Sequence, residues 1–189
     1  MKVGVLALQG AAQRHAEALG ALGAHPVLLR RPDDLAGVEA LVLPGGESTT
    51  MSRLLLSSGL FDALAESIAA GMAVFGTCAG MILLASEILD GRDDQRSFAA
   101  IDIAVRRNGF GRQVDSFETE LSVVGMTGGD FPATFIRAPV VERAGAGVQV
   151  LAEVDGHAVL CRSGAVLVSA FHPELSGDLR LHQQFLNEA

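Results

Sequence analysis

The chain has no tryptophan and no tyrosine among its 189 residues, so phenylalanine supplies its whole aromatic content. Without indole or phenol rings, intrinsic fluorescence gives no handle on binding, and calorimetry or mass measurement must take its place. Cysteine is scarce, with only Cys78 and Cys161 present. Two cysteines without C-x-x-C spacing form neither a disulfide framework nor a metal-ligand pattern, and a reducing, cytoplasmic setting is expected. Basic residues are outnumbered 14 to 22, leaving a formal net charge of −8. Phosphate-backbone binding needs clustered Lys and Arg, so no nucleic-acid partner is expected. Long apolar runs are missing too: residues 1–8 are too short for a signal peptide or membrane span, and Gln9-Gly10 interrupts them. No membrane association is expected. There is no internal repeat, low-complexity tract or block of like charge, which argues against extended disorder.

Hydrophobic residues make up 49% of the chain, enough for a core of ordinary size, and one domain spanning residues 1–189 is expected. The first half alternates short apolar runs with helical spacing. Runs at 3–8, 27–29, 40–43 and 72–75 read as strands covered on both faces, and 11–22, 48–55 and 60–69 read as helices. From residue 101 the pattern changes to strands at 101–105, 118–124, 134–136, 148–154, 158–161 and 166–171, and a helix at 178–186 closes the chain. The expected fold is α/β, a mostly parallel central sheet with flanking helices and a β-rich C-terminal half. Chemistry is then expected near the carboxyl ends of the parallel strands. Residues 90–97, charged and containing Gly91, form the expected mobile loop.

The most informative segment is Phe75-Gly76-Thr77-Cys78-Ala79-Gly80, where an apolar strand gives way to helical spacing. A strand-to-helix turn this tight tolerates no side chain at Gly76 or Gly80 and projects the thiol from its apex, as in a nucleophile elbow. At a helix start the thiolate is favoured over the thiol. The amide of Ala79 points where an oxyanion would form, and such a donor is worth about 3–4 kcal/mol of transition-state stabilisation. An ordinary buried cysteine is the alternative, and the flanking glycines weigh against it. Cys161, within an apolar run, reads as core packing.

Phe171-His172-Pro173-Glu174 follows a core strand. Proline fixes the local backbone, so His172 and Glu174 can project in related directions, the imidazole as base and acid and the carboxylate as its orienting partner. The alternative is a histidine that merely caps a turn. Pro44-Gly45-Gly46-Glu47-Ser48 also follows a core strand, and its glycine pair allows amides to turn inward as a second oxyanion donor or a phosphate cradle. It lacks the Gly-Lys-Ser/Thr of a P-loop, and a helix start capped by Ser48 or Thr49 is equally compatible. Arginines at strand ends, Arg107 and Arg137 among them, suit a carboxylate or simply a solvated surface. His25, His157 and His182 read as surface or capping residues; His15 is left open.

With these segments in this order, the chain resembles the class I, or triad, glutamine amidotransferase family. Blocks at 8–10 (LQG), 43–51 (LPGGESTTM), 75–80 (FGTCAG), 107–108 with 110–117 (FGRQVDSF), 135–139 (FIRAP) and 171–175 (FHPEL) are similar to its pyridoxal 5′-phosphate synthase glutaminase branch. They span nearly the whole chain. The resemblance implies a flavodoxin-like fold, with Cys78 as nucleophile, His172 as base and acid, and Glu174 as orienting carboxylate. It also implies that Gly46, Glu47 and Ser48 line a glutamine site closed by Arg107, Ile136 and Arg137, with Gly46 and Ala79 as oxyanion donors. The implied reaction converts L-glutamine to L-glutamate and ammonia through a thioester, with no cofactor or metal. The implied partner is a separate synthase subunit in a hetero-oligomer, which receives the ammonia and builds pyridoxal 5′-phosphate. The family usually has an acidic residue before the histidine of the first helix; this chain has Arg14-His15. Two rivals remain at this stage, a stand-alone cysteine hydrolase or peptidase on the same elbow and a non-catalytic scaffold.

Overall fold

The computed structural model describes residues 1–107, 109 and 116–189. Strands form where apolar runs can be covered on both faces. β1 (Lys2–Leu6) is buried except at its first residue, followed by β2 (His25–Leu29), while β3 (Ala40–Leu43) and β4 (Ala73–Thr77) are buried throughout. Between them run α1 (Ala12–Ala21), α2 (Ser48–Ser57) and α3 (Leu60–Ala69), and α4 (Ala79–Leu84) follows β4 directly.

The second half supplies β5 (Ala85–Ile88), β6 (Ile101–Arg106), β7 (Ser116–Leu121), β8 (Phe131–Ile136), β9 (Val140–Ala144), β10 (Gln149–Val154), β11 (His157–Ser163) and β12 (Val166–Ser169). The chain ends in α5 (Arg180–Glu188). Among the described residues, a ten-stranded sheet runs β2-β1-β3-β4-β12-β11-β9-β6-β5, with β10 paired to β11, and β7-β8 form a separate hairpin. The β-rich half therefore mostly prolongs the first sheet. The pairings from β2 to β12 are parallel, whereas β12-β11, β11-β9 and β9-β6 are antiparallel. No helix among the described residues is long and apolar enough to cross a membrane.

This topology brings distant segments together. β4 and β12 lie side by side in parallel, with Ser169 opposite Thr77, so the residues that follow each strand emerge at the same sheet end. Residues 9–10 after β1 and 44–47 after β3 emerge there too, because β1 and β3 are parallel neighbours in the same half. The crevice outside the carboxyl ends of such strands is where an open α/β sheet offers a site. Residues 90–97, expected to be loose, carry no helix or strand but are tied to α2. Arg53 holds Asp94 at 2.7 Å, Gln95 donates to Ser48 Oγ at 3.0 Å, and the Arg96 amide donates to Ser52 Oγ at 2.9 Å.

Candidate active site

Cys78 is the single residue between β4 and α4, with φ 49° and ψ −103°. A positive φ is uncommon for a non-glycine residue and persists only where the surroundings hold it. Here the Cys78 amide donates to Ser169 O at 2.8 Å, and its carbonyl accepts from the Ile82 amide at 3.2 Å. The glycines on either side are sterically required. A methyl at Gly76 would lie 2.7 Å from the Gly80 carbonyl, and one at Gly80 would lie 1.9 Å from Leu43 O. Gly80→Ala must therefore push α4 off β3. The expected cost is about 3 kcal/mol, lowering the melting midpoint by about 6–12 °C. A circular-dichroism melt unchanged within about 2 °C would contradict this close approach.

His172 and Glu174 arrive from β12. The His172 amide donates to Thr134 O of β8 at 2.9 Å, and Pro173 opens the short 3-10 turn Pro173–Leu175 that carries Glu174. His172 Nδ1–H donates to Glu174 Oε1 at 2.8 Å, which leaves Nε2 for the sulfur. Gly45 shows how closely the pieces converge: a methyl there would lie 2.4 Å from His172 Cε1 and 3.3 Å from Cys78 Cβ. Burial opposes charge on His172, but hydrogen bonds to Cys78 and Glu174 outweigh it and raise the ring to about 10. Glu174 is likewise buried, which favours its neutral form; contacts with His15 and His172 reverse that and hold the carboxyl far below its usual range.

Cys78 and His172 border a cleft of about 260 Å³. Cys78, His172, Gly46, Glu47, Ser48, Arg107, Ile136 and Arg137 all line it; Glu174 stands behind His172, and Ala79 begins α4. The Cys78 thiol points at the Ile136 carbonyl, 4.0 Å away. Arg107 donates to Glu47 Oε1 at 3.0 Å, fixing a guanidinium–carboxylate pair at the rim. Glu47, rather than Ser48 or Thr49, caps α2 by accepting from the Thr49 and Thr50 amides. Its partial burial is outweighed by the Thr50 hydroxyl and these amides, which bring it to about 2. Asn108 and residues 110–115 of the FGRQVDSF block lie outside the described residues. Among the described residues, no group of three or more His, Cys, Asp or Glu side chains is arranged to hold a metal ion.

Three contributors had not been singled out. Gln9 lines the cleft and accepts the Glu47 amide at 2.8 Å, Ile82 forms part of its wall, and Gln95 contacts both Ser48 and Thr49. His182 corrects an expectation, being fully buried rather than at the surface, while His25 and His157 are exposed as expected. His15, which the sequence left open, is also fully buried. A sequence signal for both existed. His15 shares the buried stripe of α1 with Ala12, Ala16 and Leu19, and His182 lies on the buried face of α5 with Leu181 and Phe185. Cys161 is core, as expected, and burial pushes its thiol up to about 12.

An elbow cysteine, an imidazole and a carboxylate joined across adjacent parallel strands define a class of α/β proteins equipped for acyl transfer through sulfur. Comparison narrows the class: the chain belongs to the SNO glutamine amidotransferase family, whose profile matches residues 5–189. It is 56% identical to the pyridoxal 5′-phosphate synthase subunit PdxT of Nocardia farcinica, over 98% of this chain and 84% of that protein. It is also 56% identical to the protein of the same name from Mycobacteroides abscessus, over 98% and 95%. A crystal structure of a glutamine amidotransferase superposes with a TM-score of 0.92 at 48% identity, covering 98% of this chain and 97% of the other. The sheet and its flanking helices are thus a glutamine amidotransferase fold.

Proposed function

We propose that this chain is the glutaminase subunit of a pyridoxal 5′-phosphate synthase, releasing ammonia from L-glutamine for a synthase subunit docked beside it. The observation that carries the reading is the alignment of Cys78 and His172 in the cleft wall with Glu174 behind them, together with relatives at 56% identity that bear that name.

The chemistry follows from the groups present. Cys78 Sγ, its proton already resting on His172 Nε2, attacks the carboxamide carbon of glutamine, and the carbonyl oxygen becomes an oxyanion. The Ala79 amide, unpartnered within its helix like all first-turn amides, and the Gly46 amide are its donors. Collapse breaks the C–N bond as His172 returns the proton to the departing nitrogen, giving ammonia and a γ-glutamyl thioester. Water, deprotonated by His172, then cleaves the C–S bond to give glutamate and the free thiol. Glu174 holds His172 in the Nδ1–H tautomer throughout. The Glu47–Arg107 pair, with Ser48, Ile136 and Arg137, suits the amino-acid end of the substrate, whose carboxylate matches a guanidinium.

Family membership and the intact trio weigh against both the stand-alone hydrolase and the inert scaffold. The test uses the chain mixed with its synthase partner. Ammonia release should depend on glutamine, and 6-diazo-5-oxo-norleucine should label Cys78 stoichiometrically by mass. Labelling by a peptide ester but not by the glutamine mimic would refute the glutaminase assignment.

A further inference from the structure

Behind Glu174 lies a polar chain that the proposed reaction does not use. Its carboxylate, with a fully buried side chain, faces two imidazoles: Oε1 accepts from His172 at 2.8 Å, and Oε2 lies 3.3 Å from His15 Nε2. The second contact is an ion-pair distance rather than an aligned hydrogen bond, since Oε2 has no partner of hydrogen-bond geometry. His15 Nε2 is also 3.3 Å from Thr77 Oγ1, and its Nδ1 is 2.9 Å from His182 Nε2. His15, His182 and Thr77 are completely buried, and they come from α1, α5 and the last residue of β4.

The protons can be assigned by counting orphans. His182 Nδ1 has no partner. Burial pushes the His182 ring down to about 3, so it is neutral with one hydrogen to place. Were that hydrogen on Nδ1, a buried N–H would lack an acceptor, and a His15 ring donating from Nδ1 alone would aim a bare lone pair at the carboxylate. With it on Nε2, only a lone pair is left over, the cheaper orphan. His182 Nε2–H therefore donates to His15 Nδ1, and His15 presents Nε2–H to Thr77 Oγ1 and Glu174 Oε2.

We infer that His182 and His15 are positioning residues, a buried two-imidazole prop that fixes the rotation of the Glu174 carboxylate and, through it, the tautomer and aim of His172. Neither touches the cleft. The inference rests on the glutaminase reading and deepens it: the line of polar contacts runs from α5 through α1 to the turn after β12. Carboxylate rotation, otherwise opposed by one hydrogen bond, is opposed on both oxygens.

Substitution at His182 tests this without altering a residue of the catalytic trio or the cleft. His182→Leu fills the space and removes the donor; His182→Gln brings an amide N–H to the same place. In the complex with the synthase partner, leucine should lower kcat for glutamine hydrolysis about tenfold with KM held within about twofold, and glutamine should recover kcat to within about threefold of wild type. Iodoacetamide alkylation of Cys78 in the isolated chain, read by mass, should follow the same ranking, with Cys78→Ala as the blank. If leucine leaves kcat and alkylation unchanged, or if leucine and glutamine lose equally, the prop is refuted, because volume or nothing is then being read. If the wild type is alkylated yet releases no ammonia, the glutaminase reading fails, and the alkylation ranking still decides the prop. Should the leucine variant not fold, His182→Asn, too short to reach His15, carries the same expectation.

Discussion

Replacing Cys78 by alanine is expected to abolish glutamine-dependent ammonia release, a loss of about a million-fold in kcat, with the fold intact. The size of the effect follows from the absence of a substitute. The other cysteine, Cys161, lies in β11 with no exposed surface, and burial holds its thiol protonated up to about pH 12. Ser48 lines the cleft, but its hydroxyl accepts from Gln95, and among the described residues no imidazole is hydrogen-bonded to it. Alanine keeps the Cβ that the elbow already accommodates and gives up the sulfur's contacts with His172 and, at 4.0 Å, with Ile136 O, so the melting midpoint should move by no more than a few degrees. The measurement is ammonia release by a coupled assay beside a circular-dichroism melt. Residual turnover above about one per cent of wild type would mean that the acyl group is not carried by this sulfur.

Legibility in the sequence tracked how local the cause was. The elbow could be read because part of it is enforced locally: a methyl at Gly76 meets the Gly80 carbonyl four residues on, whereas the bar at Gly80 comes from Leu43 O of β3 and lies outside the segment. His172 and Glu174 could be paired because Pro173 stiffens the two-residue spacing between them. That they would meet Cys78 needed the order and direction of strands, and the register of β12 on β4 is not written in either segment alone. Strand direction in the second half was likewise silent, since an apolar run such as β11 looks the same whichever way its partners run. Gln9 and Gln95 were passed over because an uncharged amide in a turn carries no periodic or charge signature. Their roles depend on Glu47, Ser48 and Thr49, which reach them across the fold. His182 was misread for the opposite reason. Its helical face does mark it as buried, but a polar ring on an apolar stripe is sensible only once His15 is known to stand 2.9 Å away.

Glu174→Gln is expected to lower kcat about ten-thousandfold, although the two side chains have nearly the same shape. Glutamate offers two oxygens, and two imidazoles face them, His172 at 2.8 Å and His15 at 3.3 Å. An amide offers one oxygen and one NH₂. If the oxygen faces His172, the NH₂ confronts the N–H of His15, donor against donor, and the side chain is driven to turn. If it turns, His172 must accept at Nδ1 and carry its hydrogen on Nε2, the nitrogen that should receive the thiol proton. Either arrangement also removes the anion that, with Cys78, raises His172 against the effect of burial. The sign of the pH effect follows: the ring loses its proton at lower pH than in the wild type, so the alkaline limb of the kcat profile moves to lower pH. KM should change little, because Glu174 lies behind His172 and outside the cleft lining. Glu174→Asp keeps the charge but not the reach, so it should fall between wild type and glutamine. A Glu174→Gln protein retaining more than about a tenth of wild-type kcat would show that His172 finds its tautomer without a carboxylate.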